Sequence, residues 1–255
     1  MPPTPFVIPA KAGIQNLAMI KLVVAGAAGR MGTAILNLAE QDKDFQIIGR
    51  LESIAKQDEK AGLTGDIKVI EMADVVINFA TATGTAVGMF PAMEKYETPW
   101  VIGTTGFNDD QEATISKFSK RVPIVKSSNM SLGVNVFFKV AQEIARALPS
   151  YDVRIWEAHH AQKMDNPSGT AKQVGRLIQE VTGREVILEK GKREGDIVGD
   201  HRVTFSSPTD KLELFHHAET RDIFALGALQ AAKWLATRKP PAGRLYTMQD
   251  VLGLR

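Results

Sequence analysis

Apolar positions in this chain fall into short blocks set apart by polar, glycine-bearing turns, and the blocks alternate between two periods. Residues 19–25 (MIKLVVA), 45–51, 74–79, 100–102 and 123–125 are short apolar runs. Such runs suit strands buried on both faces of a parallel sheet. Between them, Ala34, Ile35, Leu38 and Ala39, then Ala86, Met89, Phe90 and Met93, recur at helical spacing. A further helix is expected over 109–120. Residues 55–68 are polar and poorly patterned, a loop or short helix. Five strand–helix repeats with short connections predict an open parallel sheet.

From Ser131 the pattern changes. Leu132, Val134 and Val136 open a segment that becomes helical by Phe138, Ala141, Ile144 and Ala145, and Pro149 ends it. A strand is expected over 151–158. Thr170, Val174, Leu177 and Val181 mark a helix ending near Gly183. Residues 186–188, 203–206 and 212–217 read as strands, the last two joined by a Pro-Thr-Asp turn. Their partial alternation predicts a mixed or antiparallel sheet with one packed face. The other face is available to a second subunit. Ile223, Leu226, Gly227, Gln230 and Trp234 mark another helix. Beyond Lys239-Pro240-Pro241, the apolar Met248, Val251, Leu252 and Leu254 are expected to pack back on the first domain.

The fold class is therefore α/β: an N-terminal Rossmann-like parallel-sheet domain plus a C-terminal α+β domain with a mixed sheet. The expected division is an extension at 1–18, a dinucleotide-binding domain at 19–129, a substrate-binding and oligomerisation domain at 130–238, and a returning segment at 239–255. The first 18 residues are Pro-rich and aperiodic, without a secretory pattern. They read as an extension or as a start placed too early.

Composition narrows the chemistry. The 31 basic and 29 acidic residues give a net charge of +2, which argues for neither nucleic acid nor a membrane surface as partner. No cysteine is present, so disulfides, a thiol nucleophile and thiolate metal sites are excluded. That absence fits a cytoplasmic protein. No apolar run is long enough to span a bilayer.

Two stretches concentrate polar chemistry. The first is GAAGRMG, residues 26–32, between the first strand and the first helix. Gly26 would make the tight turn, Gly29 would admit a pyrophosphate, and Gly32 would let helix and strand pack. A sharp turn without ligand is the plain alternative. Arg30 either reaches phosphate or is solvated. Glu52 follows the second strand, 20 residues beyond Gly32. There it either accepts hydrogen bonds from an adenine ribose or is simply a solvated acid. Glu52 followed by Ser53 leans the reading toward NADH, although Arg50 or Lys56 can accommodate the extra phosphate of NADPH. GTTGF at 103–107 is suited to the nicotinamide end of a cofactor, or is a plain turn.

The second stretch is EAHHAQKMDNPSGTA, residues 157–171, in a strand-to-helix loop. Pro167 can fix the backbone, Ser168 can cap the helix and Gly169 permits close approach. The first N–H groups of the helix favour an anion. His159 and His160 can deliver a proton near neutral pH, and Lys163 adds a positive charge. The stretch reads as a site that binds an acidic small molecule and protonates it. No metal is expected, because adjacent histidines on a strand diverge and no third ligand is evident. His216 and His217 read as packing or interface residues. His201 reads equally as a cleft or a structural residue. Trp156, Trp234, Phe137, Phe138 and Phe224 read as core.

Together these motifs resemble the bacterial 4-hydroxy-tetrahydrodipicolinate reductase family, formerly dihydrodipicolinate reductase, across residues 19–255. The E-x-H-H-x-x-K-x-D-x-P-S-G-T-A run is the most specific element. VVAGAAGRMG (23–32), GTTGF, SSNMSLGVN (127–135), REGDIVGDH (193–201) and MQDVLGL (248–254) support it. The resemblance implies NADH- or NADPH-dependent reduction of a small cyclic dicarboxylate in the diaminopimelate and lysine pathway, by a homotetramer built through the C-terminal sheets. It implies that His159 is the proton donor and His160 a neighbour in the substrate pocket. Lys163 would orient one carboxylate, with Ser168, Gly169 and Thr170 holding the other. Gly26, Gly29, Arg30, Met31, Gly32, Glu52, Gly103, Thr104, Thr105, Ser127, Asn129 and Met130 would serve the cofactor and the hinge.

The chain departs from the pattern at Ala161, Gln162 and Asn166, and its 183–193 segment is short. Another NAD(P)-dependent reductase of a small acid, and a non-catalytic nucleotide-binding protein, are the alternative readings.

Overall fold

Strand β1 (Ile20–Ala25) is buried along almost its whole length and lies inside a seven-stranded parallel sheet. The computed structural model describes residues 18–53, 58 and 62–254. The extension expected at 1–18 therefore lies outside the described residues except for Ala18, and so does Lys56. After β1 come α1 (Arg30–Glu40), β2 (Phe45–Leu51), β3 (Leu63–Thr64), a 3-10 turn (Ile67–Met72) and β4 (Val75–Asn78). Then follow α2 (Ala82–Gly84), a π turn (Thr85–Met89), α3 (Phe90–Lys95), β5 (Trp100–Ile102), α4 (Asp109–Phe118) and β6 (Ile124–Lys126). The single helix expected around Ala86–Met93 is thus broken into short pieces, although Met89 and Met93 do point into the core.

The second lobe contains α5 (Leu132–Ala147), β7 (Asp152–His159), α6 (Gly169–Thr182), β8 (Ile187–Leu188), β9 (Lys192–Arg193), β10 (Gly199–Ser206) and β11 (Lys211–Ala218). The chain ends with α7 (Asp222–Arg238), β12 (Leu245–Tyr246) and α8 (Met248–Leu252). Helix α5 starts at once, at Leu132, because the Ser131 hydroxyl accepts the Val134 N–H as an N-cap. The residues ahead of Phe138, where helical spacing becomes evident in the sequence, are already helical.

Strand order in the first sheet is β12-β6-β5-β4-β1-β2-β3. The chain runs from β1 to β2 on one side and resumes with β4 on the other. That reversal opens a crevice at the strand C-termini, where ligands of such sheets bind. In the second sheet β10 pairs antiparallel with β7 and β11, while β7 pairs parallel with β8 and β9. The sheet is mixed, as expected. Its inner face packs on α5 and α6 through Phe137, Phe138, Val174, Ile178, Val203 and Phe205.

The return to the first domain begins earlier than residue 239. Small residues of α7 (Ala225, Ala228, Ala231 and Ala232) share one core with Leu22, Val24 and Ile77 of the parallel sheet. Short side chains let the helix approach the sheet closely. Met248 and Val251 of α8 join the same core. Trp156 is not a core residue. It lies half-buried with the Arg202 guanidinium 4.9 Å above its ring. Trp234, Phe137 and Phe138 do pack against or within apolar clusters. Among the described residues no helix is long and apolar enough to cross a membrane.

Candidate active site

The glycine turn is built as a strand–helix joint. Gly26 has φ +78°, and a Cβ there would lie 2.7 Å from the Ala80 backbone nitrogen. At Gly32 a Cβ would fall 2.1 Å from the Gly26 carbonyl oxygen. Gly29 is the N-cap of α1 and brings no side-chain acceptor, so the N–H groups that open the helix keep their affinity for an anion. Glu52 stands beside this turn and accepts the Ala28 N–H at 3.1 Å and the Ser53 N–H at 2.9 Å. Arg50 is paired with Glu40 at 2.8 Å, which competes with any phosphate.

Two cavities meet at the mouth of the crevice. One, of about 510 Å³, is lined by Gly103, Thr104, Thr105, Ser127, Met130 and the Phe79 ring. The other, of about 930 Å³, runs between the lobes and is lined by Arg30, Asn129, His159, His160, Lys163, Ser168, Gly169 and Thr170. Met31, Thr105, Ser128 and Phe224 line both. Phe224, read from sequence as core, is half-buried at this junction. Thr104 turns its hydroxyl inward to the Ala80 carbonyl at 2.9 Å, so its part is to brace the loop. Gly103 leaves room for the Phe79 ring, which a Cβ would strike at 2.1 Å. The Ser127 hydroxyl donates to the Asn129 carbonyl, and the Asn129 amide donates to the Thr170 hydroxyl at 3.3 Å. Asn129 thereby ties the first lobe to the start of α6.

Strand β7 alternates, so Glu157 and His159 face the interior while His160 turns to the cleft rim. Glu157 is 1% exposed. Its Oε1 accepts the Ser168 N–H at 3.0 Å and the Arg193 guanidinium at 2.7 Å. Its Oε2 lies 3.3 Å from His159 Nδ1, short of hydrogen-bond alignment. Burial alone would raise the Glu157 carboxyl, but the nearby His159 ring and the hydrogen bonds from Ser168 and Arg193 outweigh it and hold the group well below the usual carboxylate range. Ser168 caps α6 by accepting the Ala171 N–H.

Lys163 pairs with Asp165 at 2.7 Å. Burial would raise the Asp165 carboxyl, but Lys163 and the Gly169 N–H lower it. One carboxylate of the protein itself already occupies Lys163. His160 is held by Gln162 at 3.2 Å and by Arg221 at 3.1 Å. The departure at Asn166 also has a physical role. Its amide exchanges two 2.9 Å hydrogen bonds with the Gly191 backbone, fastening the short 183–193 segment to the loop.

Sequence reasoning missed Arg193 and Arg221. Arg193 lay within the quoted REGDIVGDH motif, a signal left without a role, while Arg221 had none. It also found no third metal ligand, yet the fold brings donor atoms of Glu157, His159 and His201 within 4.8 Å of one another. That donor set suits zinc. Arg193 on Glu157 and the nearby charge of Lys163 oppose a dication there. His216 lines the cleft, 5.9 Å from His201 ring to ring, whereas the exposed His217 pairs with Asp200.

His201 is 4% exposed and neither ring nitrogen has a hydrogen-bond partner among the described residues. Burial first, then the charges of His159, His216 and Lys163, push it from 6.5 down to about 3. Between these values the unfolded chain binds a proton that the folded chain refuses. Stability is therefore full above pH 6.5 and falls as the pH falls toward 3. The slope is up to about 1.4 kcal/mol per pH unit. His201→Gln should flatten the pH dependence of denaturant unfolding in this window. Equal slopes in both proteins would contradict a neutral buried His201.

Comparison with known proteins agrees with this architecture. The family model described as dihydrodipicolinate reductase, N-terminus, matches residues 20–130, and that described as dihydrodipicolinate reductase, C-terminus, matches residues 133–252. The 4-hydroxy-tetrahydrodipicolinate reductase of Methanosarcina barkeri is 40% identical over 92% of this chain and all of its own length. That of Methanocorpusculum labreanum is 37% identical with the same coverage. A dipicolinate-bound dihydrodipicolinate reductase from Paenisporosarcina sp. TG-14 superposes with a TM-score of 0.77 at 19% identity, covering 91% of this chain and 99% of that one. At that identity it supports the fold.

Proposed function

The chain belongs to the dihydrodipicolinate reductase family of NAD(P)H-dependent oxidoreductases, and from that premise we propose that it reduces 4-hydroxy-tetrahydrodipicolinate to tetrahydrodipicolinate in diaminopimelate and lysine biosynthesis. The observation that carries the substrate class is the pairing of Lys163 with a carboxylate, that of Asp165, in the same cleft as the start of α6, whose first N–H groups favour a second anion. A cyclic dicarboxylate would take these two elements, one with each carboxylate.

Reduced nicotinamide, when bound, supplies the hydride. The turn at Gly26–Gly32 and Glu52 suit its adenosine end, and the loop at Gly103–Thr105 suits its nicotinamide end. Lys163 orients one substrate carboxylate, and Ser168, Gly169 and Thr170 hold the other. Loss of the 4-hydroxyl and a neighbouring ring proton as water gives a C=C conjugated with the ring imine, and hydride addition to the far end of that system leaves it enamine-like. His159 then gives its proton to the adjacent carbon, and the imine is restored. A Cβ at Gly199 would lie 3.2 Å from His159 Nε2, and Gly199 lines the cleft, so this nitrogen is on the substrate side. His160 and Arg221 sit at the rim, where the Arg221 guanidinium adds positive charge for a dianion. Closure of the lobes about Asn129 would exclude water.

Glu52 beside Ser53, with Arg50 already paired, favours NADH over NADPH. The outer face of the second sheet carries Trp156, Arg202 and the 55%-exposed Phe215 in one cross-strand row. This face suits the homotetramer.

Parallel assays of NADH and NADPH oxidation with the cyclic substrate test the reading. Oxidation is expected with both, and kcat/KM is expected to be higher for NADH. Oxidation of neither would exclude the reaction, and a preference for NADPH would exclude the role given to Glu52.

A further inference from the structure

We propose that Glu157 is a positioning residue, which holds the His159 ring with Nδ1–H toward the carboxylate and Nε2 toward the cleft, and ties the proton donor to the substrate-binding end of α6. This deepens the proposed function and rests on it.

The geometry is that of a carboxylate shared between two tasks. Oε1 is committed to the Ser168 N–H and to Arg193. Oε2 is left 3.3 Å from His159 Nδ1 with no other partner among the described residues. A small rotation of the ring aligns the pair. With Nδ1–H directed at a carboxylate, the imidazolium is stabilised and its second proton sits on Nε2, facing the substrate. That proton goes to the enamine-like carbon, whose electron pair forms the new C–H bond. The ring is left neutral with its Nδ1–H still on Glu157.

The other charged or titratable groups near His159 are few. From β10, His201 packs edge-on at 5.1 Å and stays neutral at neutral pH. From β11, His216 lies behind His201, and burial, ahead of the charge of His217, lowers it too. From β9, Arg193 reaches Glu157 and also donates to the Asp165 and Lys163 carbonyls. Lys163 lines the same cleft. Glu157 is thus the one anion against the ring among the described residues, and Arg193 fixes which of its oxygens is free.

Glu157→Gln discriminates sharply. Ser168 and Arg193 are both donors, so the amide oxygen must take the Oε1 position. The amide NH₂ is then presented to His159 Nδ1, which becomes an acceptor. The proton donor is held in its neutral form. The expected result is a fall in kcat of on the order of 10²-fold, with KM for the substrate within about threefold. The alkaline limb of the kcat profile should move to lower pH by about one to two units. In ¹⁵N spectra of the substrate-free protein, His159 Nδ1 should read as protonated in the wild type and as unprotonated in Glu157→Gln.

Unchanged kcat, or a fall in kcat with an unchanged Nδ1 signal, would overturn the proposal. If the variant does not fold, the wild-type spectrum decides alone, since an unprotonated Nδ1 contradicts the proposal. The spectra need no turnover. A chain that reduced no substrate yet showed the Nδ1–H would fail the functional reading and keep the contact.

Discussion

His159→Gln should lower kcat by about 10²- to 10⁴-fold, the range spanned by a lost general acid. KM for substrate and cofactor should stay within a few-fold. His159 is 7% exposed, at the end of β7, and its Nε2 lies by Gly199, away from the Lys163–Asp165 pair. Glutamine fills a similar space and can hydrogen-bond, but it cannot deliver a proton. Hydride addition would proceed to an intermediate that must wait for water, which the closed cleft excludes. Steady-state kinetics of the variant, with a melting curve to show that it is folded, measure the effect. A variant as active as the wild type would remove His159 from the chemistry.

Lys163→Ala is expected to act on the other parameter. Its ammonium pairs with Asp165 and lines the interlobe cleft. A hydrogen bond to a charged group is worth about 1.5–3 kcal/mol, so KM for the dicarboxylate should rise by roughly 10- to 150-fold. kcat should fall too, because a substrate held by one carboxylate is misaligned for hydride transfer. Deleting the lysine also leaves Asp165 unpaired beside the helix start, where its charge repels the incoming dianion. A second variant, Lys163→Ala with Asp165→Asn, should recover part of the KM loss by removing that repulsion. If KM for the dicarboxylate were unchanged in Lys163→Ala, the carboxylate site would have to be sought elsewhere.

The two halves of the molecule were legible in different degrees. The turn from Gly26 to Gly32 could be read because its constraints are local. A strand, a tight turn and a helix packed within a few residues leave few alternatives to glycine. The Ser168 cap was legible for the same reason, since a hydroxyl at the first turn of an amphipathic helix satisfies that helix's own N–H groups. The short strands β3, β9 and β12 were not. Two residues carry no periodicity, and their pairing is decided by what lies beside them. Helix α7 was visible as a helix, but nothing in its spacing says which sheet accepts its alanine face.

The polar site shows the same limit. His159, Lys163 and the Ser168–Thr170 turn lie in one stretch and could be found together. Glu157 lay in that stretch too, yet its role depends on Arg193, which reaches the same carboxylate from 36 residues away. Arg193 and Arg221 act across 28 or more residues of sequence, on Asp165 and His160. Trp156 was read as core because large aromatic residues usually are. Its place on the outer face follows from the register that sets Arg202 beside it.

The most direct measurement follows the hydride itself. Reduced nicotinamide carrying deuterium at its transferable position is mixed with the cyclic dicarboxylate and the protein, and the product is weighed by mass spectrometry. The account predicts one deuterium in the reduced ring, lost from the cofactor in equal amount. A ring that is bound but recovered unreduced, with the label still on the nicotinamide, would contradict it.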